Sequence, residues 1–130
     1  MSDHPTDTDG EPLIIAPDGM EVRLHPSLAG GSMAHFRMPA GKTGRAVRHR
    51  TVEELWYVLE GQGEMWFGDP DGTERILALQ PGVSFAIPVG TRFQLKNAGN
   101  RPLDAIAVTM PPWPGEDEAE FVTGKWNATI

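Results

Sequence analysis

The sequence predicts an all-β domain of about ten short strands. Three observations carry that reading. Gly and Pro supply 27 of the 130 residues, well above the usual share of about 12%, and both are poor in helix interiors. Short apolar segments alternate with turn signals about every 8–12 residues. No long stretch keeps the roughly 3.6-residue apolar period of an amphipathic helix. The apolar share is 39% before glycine is added, enough to build a core and to exclude wholesale disorder.

In chain order, the first strand is expected at 13–16, where Leu13-Ile14-Ile15-Ala16 is the first apolar run. Strands at 21–25 and 32–38 flank Gly30-Gly31. Gly41 separates the latter from a strand at 45–49. Strands at 55–60 and 64–67 meet across Gly61-Gln62-Gly63, and Asp69-Pro70-Asp71-Gly72 turns the chain into a strand at 75–79. Pro81-Gly82 leads to 84–87, Pro88-Val89-Gly90 to 91–96, and Asn97-Ala98-Gly99-Asn100 to 103–109. Gly and Asn accept positive φ and Pro presets φ, so each cluster is a turn for a stated reason. Ten such strands in one domain make a sandwich or barrel.

The ends differ from this middle. Residues 1–11 are polar, acidic and without periodicity, and are expected to be a disordered tail. Residues 12–110 form the barrel domain. In 111–130, Pro111, Pro112 and Pro114 lack the N–H that a sheet ladder needs. Trp113, Phe121 and Trp126 indicate that this extension packs on the barrel or on a partner.

The net charge of −7 sits mostly at the ends, because the first 21 residues hold six acids and no Lys or Arg. The middle is nearly balanced, so no basic face for nucleic acid is expected. The apolar runs are far too short for a membrane-spanning helix. With no cysteine, disulfides, thiolate metal sites and a cysteine nucleophile are excluded. The first residues show no secretory h-region, so a cytoplasmic location is expected.

Two stretches then carry a family resemblance. The first runs Gly41, five residues, Val47, one residue, His49, four residues, Glu54, six residues, Gly61. The second runs Gly82, five residues, Pro88-Val89-Gly90, two residues, Phe93, three residues, Asn97. Together they resemble the two motifs of the cupin family over roughly residues 20–110. The phrase Glu53-Glu54-Leu55-Trp56-Tyr57-Val58-Leu59-Glu60-Gly61 is especially similar. The resemblance implies a jelly-roll barrel, the double-stranded β-helix. It also implies a divalent metal held inside by two His of the first motif, its Glu, and a His of the second.

This chain departs from that ligand set. Val47 and Phe93 stand at two of the His positions, leaving His49 and Glu54. A catalytic metal site needs about three protein ligands and an open position. His35, on the preceding strand, is the leading replacement ligand, with His25 behind it, and His4 lies in the tail. The parity of His35 is left open, because Met33 and Phe36 mark opposite faces. Counting by twos places Arg45, Val47 and His49 on one face, with Glu54, Trp56 and Phe93 beside them. That describes an apolar pocket with an aromatic wall and a few polar groups. Arg45 there would grip a carboxylate or phosphate, so an organic anion is the expected ligand. Tyr57, at odd offset from Glu54, points away and cannot assist His49.

Two functional readings remain. In the first, the barrel binds a small molecule and the standard metal site is incomplete. In the second, it is a metal-dependent enzyme of dioxygenase or isomerase type, with a divalent transition metal on His49, Glu54 and a third ligand such as His35. Whether the protein is an enzyme stays open at this point. A homodimer is expected under either reading, since the exposed edges of a jelly roll invite pairing.

Overall fold

Turn chemistry sets the strand ends. At Gly61 the backbone has φ of +86°, and a Cβ there would collide with the Pro102 carbonyl oxygen. Only glycine serves at that hairpin. In the next turn Asp69 N–H donates to the Thr73 carbonyl at 2.8 Å and Thr73 N–H to Asp71 Oδ1 at 2.9 Å. The second is the local side-chain bond that makes Asp a turn residue.

A computed structural model describes residues 7–9 and 13–130. The expected tail at 1–11, with His4, falls mostly outside the described residues. Of it, Asp9 N–H donates to Asp7 Oδ1, and Asp9 lies 3.7 Å from Arg37.

Among the described residues the strands are β1 (Leu13–Ile15), β2 (Glu21–Leu28), β3 (Gly31–Met38), β4 (Val47–His49), β5 (Glu53–Glu60), β6 (Gly63–Gly68), β7 (Glu74–Leu79), β8 (Ser84–Ile87), β9 (Arg92–Lys96), β10 (Leu103–Met110) and β11 (Ala119–Phe121). A 3₁₀ turn, Glu116–Glu118, precedes β11. One sheet runs β1-β2-β3-β10-β5-β8 and the other β11-β4-β9-β6-β7. All pairings are antiparallel. This is the two-sheet jelly roll expected of the sequence. No helix among the described residues is long and apolar enough to cross a membrane.

The core lies between the sheets. In β5, Glu54, Trp56 and Val58 are buried while Leu55 and Tyr57 are half exposed, the alternation a two-residue period demands. Met65, Phe67 and Ala107 are sealed from solvent and share one apolar cluster with Trp56 and Phe93.

The strand expected at 45–49 starts later, at Val47. Ala46 and Val47 are both buried, so alternation breaks just before the strand.

The segment after the prolines folds back on the barrel. β11 pairs with β4, joining Ala119 to His49 and Phe121 to Val47. Gln94 in β9 pins the chain beyond β11. Its Nε2 donates to the carbonyls of Gly44 and Trp126, and its Oε1 accepts from the N–H groups of Lys125 and Trp126. Water can replace the tail half of these bonds, so Gln94→Ala is expected to cost about 1–2 kcal/mol. Urea unfolding measures that cost, and amide exchange should quicken at Lys125 and Trp126.

Candidate functional site

The barrel is not filled. A cavity of about 190 Å³ opens between the sheets, bordered by β1 to β5, β9, β10 and the C-terminal extension. It exists because the inward residues near one end of the six-stranded sheet are small or set to the side, among them Ala34, Ser32 and Thr109. One wall is aromatic. Phe36 stacks on Trp56 with centroids 4.9 Å apart, and Trp56 stacks in turn on Phe85 at 5.5 Å. His49 sits edge-on to Phe93 at 5.2 Å and to Trp113 at 5.1 Å. Both separations lie in the favourable range for T-shaped rings.

Five expected pocket residues line this cavity: Val47, His49, Glu54, Trp56 and Phe93. Val47 and Phe93 are cross-strand partners in β4 and β9, so the two apolar replacements meet face to face. Arg45 is corrected. It precedes β4, is exposed, and lies over the Phe121 ring at 4.9 Å, outside the cavity. The two-residue count fails there because buried Ala46 and Val47 are adjacent. Among the described residues no Lys or Arg lines the cavity, so the basis for expecting an organic anion goes with Arg45.

His35 is corrected as well. Phe36 faces inward onto Trp56, which turns His35 to the outer face of the sheet. There it is almost fully buried, with Nε2 2.7 Å from Asp104 Oδ1, the same oxygen that accepts from Arg37 Nε at 2.7 Å. Burial, opposed by Asp104, holds the His35 pKa below its ordinary value. His25 is buried too but does not line the cavity. Arg48 and Arg50 pair with Glu120 of the extension, at 3.1 and 2.8 Å. Tyr57 points outward, half exposed.

The polar part of the cavity is compact. His49 Nδ1 lies 3.6 Å from Glu54 Oε1, too far for a hydrogen bond. Glu54 accepts instead from Trp56 Nε1 at 3.3 Å. Burial drives the Glu54 pKa up to about 8 against that bond, with Asp18 and Glu118 adding to the rise. Burial pushes His49 down to about 4, opposed by Glu118 and the Val52 backbone. At neutral pH, Glu54 is therefore mainly protonated and His49 uncharged.

Three further polar residues were not singled out from the sequence. Asp18 lines the cavity, with its pKa raised by burial to about 6 and Met20 N–H donating to its Oδ1 at 3.1 Å. It sits in Pro17-Asp18-Gly19, which reads as an ordinary turn. Ser32 and Thr109 are register partners in β3 and β10, and their hydroxyls bond to each other. Trp113 N–H donates to Ser32 Oγ at 3.0 Å, which carries the extension over the cavity. The aromatic residues of the tail were the one signal of that closure.

The metal implied by the resemblance can be tested against these donors. Among the described residues no group of three His, Cys, Asp or Glu is arranged to hold an ion. Apolar Val47 and Phe93 occupy two of the motif positions, and His35 faces the other way. The described residues do not fit a three-ligand centre.

A model of the cupin domain matches residues 34–109. An uncharacterized protein of Methanocaldococcus jannaschii is 32% identical over 108 residues, covering 79% of this chain and 82% of that protein. The capsular polysaccharide assembling protein CapF of Staphylococcus aureus superposes with a TM-score of 0.72 at 17% identity. The match covers 88% of this chain and 33% of CapF. Bacillus subtilis oxalate decarboxylase, whose Mn(II) centres have been studied, superposes with a TM-score of 0.64 at 19% identity. That match covers 75% of this chain and 27% of the decarboxylase. The chain thus spans about a third or less of these two proteins, and the likeness to them concerns the fold.

Proposed function

The chain belongs to the cupin family, and from that premise we propose that it binds a small organic molecule inside its barrel. The ligand's apolar body lies against Phe36, Trp56 and Phe93, and its polar end reaches Glu54 and His49. The observation that carries this reading is the cavity itself, about 190 Å³ of mostly apolar lining around a few convergent polar groups. A cavity that only relaxed the packing would be a pure cost to stability. Here it holds a buried acid with one long hydrogen bond and a buried imidazole whose Nδ1 has no partner among the described residues.

The second reading, a metal-dependent enzyme, needs a third donor that the described residues do not offer. The neighbours' metal chemistry is therefore not carried over, and no catalytic step is assigned.

Tryptophan fluorescence tests the binding reading, because Trp56 and Trp113 both border the cavity. Titration with benzyl alcohol is expected to give a saturable change in the wild type. Ala34→Phe, which places a ring in the cavity, should abolish that saturation while the far-UV spectrum stays β-like. An unsaturable response, the same in both proteins, would overturn the proposal.

A further inference from the structure

We propose that the cavity selects an organic cation, an ammonium group on an apolar body. This deepens the binding reading above and rests on it.

Charge comes first. The lining residues include the carboxyl groups of Asp18 and Glu54 and no Lys or Arg. An anion would enter a dry site that holds two carboxyl groups and no cationic side chain to offset its desolvation. A cation would supply the counter-charge that those acids lack in the cavity.

A comparison within the molecule sharpens the point. Glu118 is a buried acid outside the cavity, and its carboxylate accepts from Thr51 N–H at 2.7 Å, Thr51 Oγ1 at 2.5 Å and Val52 N–H at 2.9 Å. Glu54 is as buried, yet accepts only the long bond from Trp56 among the described residues. Beside it, His49 Nδ1 is buried with no hydrogen-bond partner among the described residues. A carboxyl group with one long bond and a ring nitrogen with none face one cavity. An ammonium group is all donor.

The aromatic rings agree. Phe36, Phe93 and Trp113 border the same space, whereas Trp56 is stacked on both faces, by Phe36 and Phe85, and offers the ligand only its edge. A free aromatic face attracts cations, and the attraction grows when the site excludes water.

The test is a matched series read by calorimetry on the full chain: benzylammonium, benzyl alcohol and benzoate. The expected order is benzylammonium tightest, at least about tenfold tighter than benzoate. Glu54→Gln should bring the benzylammonium-to-benzyl-alcohol affinity ratio down to near one, and Asp18→Asn should lower it in part. If benzyl alcohol or benzoate binds as tightly as benzylammonium, the cation proposal fails and cavity binding stands. If none of the three binds, both readings fall.

Discussion

Glu118→Ala is expected to lower the unfolding free energy by about 3 kcal/mol. The carboxylate caps two backbone N–H groups and one hydroxyl in the segment that joins β4 to β5. Burial raises the cost of its charge, and the bonds from Thr51 and Val52, with His49 nearby, outweigh that cost and hold its pKa below the ordinary range. Alanine removes the acceptor and leaves the buried Val52 N–H and two part-buried Thr51 donors unpaired, at about 1–3 kcal/mol for each donor water cannot reach. The same residue ties the extension to the barrel, since Arg50 N–H donates to the Glu118 carbonyl and Arg50 Nε to that of Asp117. The loss should therefore also loosen β11 from β4. Urea unfolding gives the magnitude, and Glu118→Gln, which keeps one acceptor oxygen, should lose about half as much. A change below about 1 kcal/mol for the alanine variant would show that the cap is solvent-like in strength.

Raising the pH from 6.5 to 8 is expected to cost about 2 kcal/mol of stability, through Glu54. Its folded pKa of about 8 stands above the ordinary 4.5, so across that window the folded chain holds a proton the unfolded chain has released. Stability then falls as pH rises, at up to about 1.4 kcal/mol per unit. Asp18, raised from 3.8 to about 6, acts in the same direction between about pH 4 and 6. His49, lowered from 6.5 to about 4, acts in the opposite direction between about pH 4 and 6.5, because there the unfolded chain binds the proton. His35 is lowered too and its effect also ends at 6.5. Above 6.5 the slope therefore belongs to Glu54 among these four. Glu54→Gln should flatten it and be the more stable protein at pH 8. A flat wild-type profile from 6.5 to 8 would mean that Glu54 is ionised in the folded protein. The cavity would then already carry a full negative charge.

The strand plan was legible along the chain because it rests on local physics. Alternation in β5 places Glu54 and Trp56 inward and Tyr57 outward whatever the rest does. Turn residues mark most strand ends for equally local reasons. The motif spacing was legible too, and it brought Val47, His49, Glu54 and Phe93 to one cavity.

The remaining features depended on how the strands pack. The parity of His35 was undecided until β3 paired with β10, with Phe36 opposite Ala105 and turned onto Trp56. Arg45 left the cavity because two buried residues in succession break the period that parity counting assumes. β11 was missed because the prolines before it spoke against pairing, although the pairing resumes once they are passed. Asp18 became a cavity acid only because its turn is packed against the barrel mouth and dried. Local preference settles where strands and turns fall; which groups lose their water is a property of two sheets and a tail brought together, and the charge a cavity will accept depends on that.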